Sequence, residues 1–344
     1  MAEVFIVNRV NILVLGVGGN VSIGILKAIK DSDINAYVFG ACVQKYAAGF
    51  AFCDESLICP YADHKDFVLW VKKVAEDNNI NIVLSGVEEI NNALANVGVF
   101  NDNCQLLVPE KNYLDIFSDK MTTVNWLADN NIGYPQTLDL AKDYNFSEIV
   151  RSLTLPFILK PRNGKGSVNL FIVENEEQYL DVEDINLYVA QQLIGDAESE
   201  YTCGVYKSKF GYIEIIVMRR LLRNGSTIMA EVVDNKEIYE YCKQIADACD
   251  TTAPFNIQLR LCSETKKPFC FEVNMRLSGT TAIRHGFGFK DCQVWIKEAV
   301  ENKSFHSDFN VKPAIAIRYE AEVFLDEKTV NSLNLTQPTV MVGN

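Results

Sequence analysis

Pro268-Phe269-Cys270-Phe271-Glu272-Val273-Asn274-Met275-Arg276-Leu277-Ser278-Gly279-Thr280-Thr281 sets a carboxylate, a carboxamide and a guanidinium at alternate positions after an apolar run. In a strand, residues two apart share a face, so Glu272, Asn274 and Arg276 are expected to line a single row. A carboxylate oxygen beside an amide oxygen suits a hard cation such as Mg²⁺, which takes oxygen ligands and completes its shell with substrate phosphates. An arginine two residues on would meet an anion held there. Taken alone, the same alternation also fits a solvated edge strand.

The residues just upstream repeat the pattern. Phe255-Asn256-Ile257-Gln258-Leu259-Arg260-Leu261 alternates apolar and polar side chains, and Glu264-Thr265-Lys266-Lys267-Pro268 turns the chain back. An antiparallel hairpin is expected, with Gln258 opposite Glu272 and Asn274. Glu200 to Tyr206 and Ile213 to Arg220 read as further strands, Lys236 to Asp250 as a helix, and Leu187 to Gly195 leads into them.

Earlier still, Leu155 to Lys160 is a strand that ends in a lysine and enters the loop Pro161-Arg162-Asn163-Gly164-Lys165-Gly166-Ser167-Val168, from which Leu170 to Val173 returns. Such a flap can fold its backbone amides and Lys165 over phosphates, and a plain hairpin with a basic tip fits as well. The spacing of a Walker loop is absent, and no helix follows. Lys120 heads a helix through Val124, Trp126 and Leu127, a place where the helix dipole disfavours a cation unless it serves an anion.

The N-terminal third alternates strands and helices. Asn11 to Leu15 runs into Gly16-Val17-Gly18-Gly19-Asn20, then Ile23, Leu26, Ala28 and Ile29 fall at helical spacing. The second strand, Tyr37-Val38-Phe39, is expected to end at Gly40-Ala41; Ser56 to Cys59 and Ile82 to Ser85 are further strands. Lys65 to Asp77 is a helix with Phe67, Val68, Val71 and Val74 inward, and Leu106 to Pro109 closes the unit. The pattern predicts a parallel sheet covered on both faces. A dinucleotide fingerprint wants a glycine where Val21 stands and an acid near Gly40-Ala41, so a nicotinamide cofactor loses two supports. The glycine turn then serves either an anion or tight packing alone. Glu88 and Glu89 follow a strand end, where they can reach a substrate amine or simply favour a helix start.

A chain of 344 residues, 48% hydrophobic and 22% charged, has length for two or three domains and a sizeable core. Its net charge of −13 argues against a broad nucleic-acid footprint. The opening MAEVFIVNRVNILVLG reads as a buried strand rather than a signal peptide, and no run approaches the ~20 apolar residues of a membrane span. Ten cysteines without a C-x-x-C pair read as small buried hydrophobes in a reducing cytoplasm, and three histidines offer no zinc spacing.

Taken together, the flap lysine, the Gln191-Gln192-Leu193-Ile194 segment, Glu200 and the two polar strands make the chain resemble an ATP-grasp enzyme, nearest to the carbamoyl-phosphate-synthase-large-subunit-like branch, as a single module. The resemblance covers nearly the whole chain. It implies α/β and α+β architecture: a Rossmann-like, parallel-sheet pre-ATP-grasp domain over 1–108, then a two-lobed ATP-grasp fold. Linker helices and the lid subdomain would fill 109–190, the C-terminal subdomain 191–310, and tail strands packing back 311–344.

For the site, the resemblance implies that Lys120 and Lys160 contact the phosphates of ATP and that Gly164, Lys165, Gly166 and Ser167 close over them. Gln192, Leu193 and Ile194 would hold the adenine and Glu200 the ribose. Gln258, Glu272 and Asn274 match metal positions for Mg²⁺, with Mn²⁺ as a substitute. Arg276 matches the position that steadies an acyl phosphate, and Arg219 is a looser match near the γ-phosphate or the acceptor. The chain departs from the pattern at Gln192, where many relatives carry glutamate, and at the neutral Gln258. With one module and no glutaminase, the implied reaction is an ADP-forming ligation of a small carboxylate to an amine. The expected partners are a small anionic substrate and an amine acceptor, with no nucleic acid and no membrane; a homodimer stays open. Arg220 and Arg284 are expected to pair with surface acids. A nicotinamide-dependent oxidoreductase and a non-catalytic nucleotide-binding protein of the same fold are the alternatives.

Overall fold

The computed structural model describes residues 9–97, 100, 103–142, 144–164 and 168–333. Its first unit is a parallel sheet of β1 (Val10–Leu15), β2 (Ala36–Cys42), β3 (Glu55–Ile58), β4 (Ile82–Ser85) and β5 (Gln105–Leu107), in the order β3-β2-β1-β4-β5. Helices α1 (Asn20–Lys30), α2 (Phe67–Asp77) and α3 (Glu88–Ala95) alternate with the strands. Ile12 and Val14 pack into one core with α1, while Leu13 and Leu15 pack into another with α2. A strand covered on both faces needs apolar residues at every position, which is why β1 shows no alternation.

Two expectations are corrected here. β2 does not stop at Gly40-Ala41 but continues to Cys42, with Gly40 required because a Cβ there would stand 2.2 Å from Cys53 Sγ. In α2, Val68 is half-buried, and Trp70 takes a fully inward place.

Two helices follow, α4 (Lys111–Ser118) and α5 (Lys120–Asp129), of which α4 was not anticipated. The next sheet is antiparallel, in the order β6-β9-β7-β8, from β6 (Thr137–Asp139), β7 (Phe157–Pro161), β8 (Phe171–Val173) and β9 (Tyr188–Gln192). Its inner face, with Phe157, Leu159, Val173 and Ala190, packs on Ile149 and Leu153 of α6 (Phe146–Leu153). The short α7 (Glu176–Leu180) lies between β8 and β9, and a division at residue 190 falls inside β9.

The largest sheet has six strands in the order β14-β13-β10-β11-β12-β15: β10 (Glu200–Lys207), β11 (Ile213–Arg223), β12 (Ser226–Val232), β13 (Pro254–Leu261), β14 (Pro268–Asn274) and β15 (Ile315–Ile317). One face carries Cys203, Val205, Ile215, Val217, Ile257 and Leu259 against α4 and α8 (Lys236–Ala248). On the other face, Tyr206, Ile216 and Met218 join the core built with α1 and α10 (Asp291–Glu301), beside α9 (Thr281–Gly286). That second cover stops short of Thr202, Arg220 and Gln258, and the uncovered part of the face is the floor of a cleft. Helix α11 (Glu327–Ser332) ends the described chain.

Candidate active site

The cleft has a volume of about 440 Å³ and lies between the four-stranded and six-stranded sheets, with the first turn of α1 at one side. From β7, Ile158 and Lys160 face it, because their alternate neighbours Phe157 and Leu159 are in the core. Lys160 is buried; its Nζ donates to Gln191 Oε1 at 2.8 Å and to Phe271 O at 3.4 Å. Burial, then the neighbouring charge of Lys120, pushes its pKa down to about 7.

Lys120 follows Asp119, whose carboxylate caps α5 through Met121 N and Thr122 N. The cap answers the helix dipole and lets a lysine occupy the first turn. Lys120 Nζ donates to the carbonyls of Arg162 (3.4 Å) and Gly164 (3.1 Å), which ties it to the base of the flap. Its pKa is lowered by burial, against the opposing charges of Glu272, Asp119 and Glu88. Arg162 is held by Asp119 at 2.6 Å and Asp139 at 2.9 Å. Gly164 lines the cleft; Lys165, Gly166 and Ser167 lie outside the described residues.

On the opposite wall the row expected from the sequence is present. Asn274 Nδ2 donates to Glu272 Oε1 at 3.0 Å, and Arg276 Nη2 donates to Asn274 Oδ1 at 2.9 Å. Gln258 pairs in register with Glu272, and Asn256 with Asn274. Simple alternation would also put Cys270 on this face, but Cys270 lies in the core. A bulge explains the difference: the register steps from Gln258↔Glu272 to Leu259↔Cys270, leaving Phe271 without a partner on β13. An extra residue changes the phase of a strand and re-aims its side chains. Phe271 and Glu272 therefore both line the cleft, while the Phe271 carbonyl accepts from Lys160 and its ring lies 5.7 Å from that ammonium.

Of the three residues expected to hold the adenine, Gln192 and Ile194 line the cleft, whereas Leu193 is not part of its wall. Glu200 is buried, and its two oxygens receive Arg220 and Arg260, each at 2.7 Å. Arg220 also donates to Gln258 Oε1 at 2.6 Å. The expectation that Arg220 meets a surface acid is thus corrected: its partner is a buried carboxylate of the cleft. Arg219 is not brought to the cleft, since it shares the face of Ile215 and Val217 and pairs with Glu231 at 2.7 Å. In Met218-Arg219-Arg220, strand phase decides between the two arginines, and Arg220 shares the cleft side with Met218. Arg284 is likewise not a surface residue; it is fully buried and ion-paired at 2.6 Å with the equally buried Asp291.

Glu88 and Glu89 open α3 and, with Lys120, Glu272 and Asn274, line a second recess that adjoins the first. Burial pushes the pKa of Arg276 down, while Glu88, Glu272 and Glu89 hold it up. As ligands for Mg²⁺, the Glu272 carboxylate and the amide oxygens of Asn274 and Gln258 have suitable chemistry, and both amide oxygens accept from a guanidinium, that of Arg276 at Asn274 and that of Arg220 at Gln258. No group of three His, Cys, Asp or Glu able to hold a metal occurs among the described residues. No helix among the described residues is long and apolar enough to cross a membrane.

Residues 191–322 match the family described as ATP-grasp in the biosynthetic pathway with Ter operon. No curated protein matches the chain by sequence. Among solved structures, carboxyaminoimidazole ribonucleotide synthase from Aspergillus clavatus, complexed with ATP, superposes with a TM-score of 0.71 at 14% identity, over 90% of this chain and 81% of that one. L-amino acid ligase from Bacillus licheniformis gives 0.66 at 15% identity, over 88% and 77%. The biotin carboxylase domain of Hydrogenobacter thermophilus 2-oxoglutarate carboxylase, in complex with MgADP, ADP and bicarbonate, gives 0.67 at 13% identity, over 88% and 72%. A parallel-sheet unit joined to two antiparallel lobes around one cleft is the architecture they share with this chain. The ATP-grasp family match is confined to residues 191–322, and over most of its length the chain has the fold of these solved structures.

Proposed function

We propose that the chain is an ATP- and Mg²⁺-dependent ligase that activates a small carboxylate as an acyl phosphate for attack by an amine, releasing ADP and phosphate. The observation that carries this reading is the row Glu272–Asn274–Arg276 facing Lys120 and Lys160 across one cleft. The ligands of the structural neighbours, ATP in one and MgADP, ADP and bicarbonate in another, support it.

In this reading the adenine lies at Gln192 and Ile194. Arg220 and Arg260 each donate two hydrogen bonds to Glu200, which fills the roughly four acceptor positions of a carboxylate, so the ribose reaches Glu200 by displacing one of these bonds. Lys120 and Lys160 place positive charge on the phosphates, and Glu272 and Asn274 would hold Mg²⁺, which supplies neutralisation of phosphoryl charge. A substrate carboxylate oxygen forms a bond to the γ-phosphorus as the bond to ADP breaks. The amine then attacks the acyl carbon, phosphate departs, and the amine proton passes to solvent. Such a transfer asks mostly for positioning and electrostatic stabilisation, and Arg276 would steady the acyl phosphate. The divisions near residues 108, 190 and 310, and flap closure by Gly164 to Ser167, belong to the same proposal.

Calorimetry with ATP tests it. Binding should require Mg²⁺ for full strength, and small carboxylates with amines should stimulate ADP release. Equal affinity in EDTA and in Mg²⁺, or tighter binding of NADH than of ATP, would overturn it.

A further inference from the structure

We propose that Arg318 is a specificity-determining residue that receives an anionic group of the non-nucleotide substrate, separate from the carboxylate that reacts. This deepens the ligase reading and rests on it. Arg318 directly follows β15, and its backbone N–H donates to Ile228 O at 2.8 Å, so its Cα is fixed to the sheet. Its half-buried side chain lines the cleft beside Asn20, Gly279 and Thr280, where α1 meets the loop after Arg276. The approach there is close: a Cβ on Gly279 would stand 3.3 Å from Asn20 Nδ2.

Arg318 differs from the other three arginines of the cleft. Arg220 and Arg260 share Glu200, and Arg276 is bonded to Asn274 with Glu272, Glu88 and Glu89 around it. The Arg318 guanidinium makes one hydrogen bond among the described residues, from Nη2 to Gly279 O at 2.5 Å, and no ion pair among them. Burial lowers its pKa, with no carboxylate acting against that. The sequence holds 45 acids to 32 bases, so acids were not scarce. A half-buried guanidinium that spends one of its five donors on the protein keeps the others available to a ligand in the cleft. Its planar fork matches a carboxylate or a phosphoryl group in two-pronged fashion.

The test is calorimetry on the full chain saturated with AMP-PNP and Mg²⁺, titrated with glutarate, 3-phosphonopropionate and butyrate. At least one of the two doubly functional anions should bind more tightly than butyrate. Arg318→Met should weaken that binding about tenfold or more, as expected for loss of a charge-assisted pair, and leave butyrate and AMP-PNP unchanged. Arg318→Lys should fall between. A preference for glutarate assigns the second group as a carboxylate, and a preference for the phosphonate assigns it as phosphoryl. An unaltered affinity in a folded Arg318→Met, or a wild type that binds nucleotide but favours no dianion, overturns the assignment alone. A wild type that fails to bind AMP-PNP with Mg²⁺ removes the ligase reading, and this assignment with it.

Discussion

In the parallel sheet, β1 buries Ile12 and Val14 against one helical layer and Leu13 and Leu15 against the other. In the antiparallel sheet, β13 buries Phe255, Ile257 and Leu259 on one side and turns Asn256, Gln258 and Arg260 to the cleft. A strand covered twice has no side chain left for chemistry, so the first unit contributes only what lies beyond its strand ends: Asn20 and Val21 at the start of α1, Glu88 and Glu89 at the start of α3. A strand covered once devotes every second residue to the site. Mutations should therefore separate by sheet, with rate lost first in one and stability lost first in the other.

The largest effect should come from the antiparallel side. Glu272→Gln keeps the shape of a half-buried cleft residue and removes its charge. ADP release should fall about 10²- to 10³-fold, the scale of losing one preorganised electrostatic contact, while Tm stays nearly unchanged. Parental turnover, or unfolding of the variant, would break the comparison.

On the parallel side, Gly86→Ala should act the other way round. A Cβ there would stand 2.5 Å from Val21 Cγ1 and 2.8 Å from Ser22 N, so the first turn of α1 has to move. Overpacking of this kind costs about 1–3 kcal/mol, readable as a lower urea midpoint. Nucleotide affinity should hold, because Lys120 and Lys160, the lysines proposed to meet the phosphates, stand on other elements.

The mildest effect concerns Lys160, a strand side chain that meets the ligand only if its sheet works as β13 does. In the free protein its ammonium loses its proton at about pH 7. Polyphosphate favours the charged form, so binding should take up protons at pH 8. Affinity should be full below about pH 7 and fall above it by at most tenfold per pH unit. For folding the sign is opposite. The unfolded lysine keeps its proton to about pH 10.5 and the folded one only to about 7, so this group raises stability as pH climbs between them. A flat affinity from pH 6.5 to 8.5, measured in buffers of different ionisation enthalpy, would take Lys160 off the phosphates.

The same contrast explains what could be read in the sequence. Period-two alternation marked Gln258, Glu272 and Asn274, and their pairing follows from one short turn. Strand phase across a bulge is not written in composition: nothing in Cys270-Phe271-Glu272 says that two neighbours face one way. Phase also misplaced the arginines, where Arg219 was weighed for the site and Arg220 occupies it. The partners of Glu200 come from β11 and β13, distant in sequence, and only the sheet order brings them together. Arg318 was missed because it stands in a tail that carries no motif. Its one signal was a lone basic residue ending the alternation Ala314-Ile315-Ala316-Ile317.

Phe271 is one residue more than the ladder needs. With it absent, Cys270 and Glu272 would be adjacent and already on their proper sides, core and cleft. Adding a codon inside a strand ordinarily exchanges every later side chain between the two faces, yet here the exchange is absorbed within a single residue. β14 can therefore be read as a regular strand that accepted a one-codon insertion, and deleting that codon should return an unbroken ladder whose Lys160 has lost a carbonyl partner.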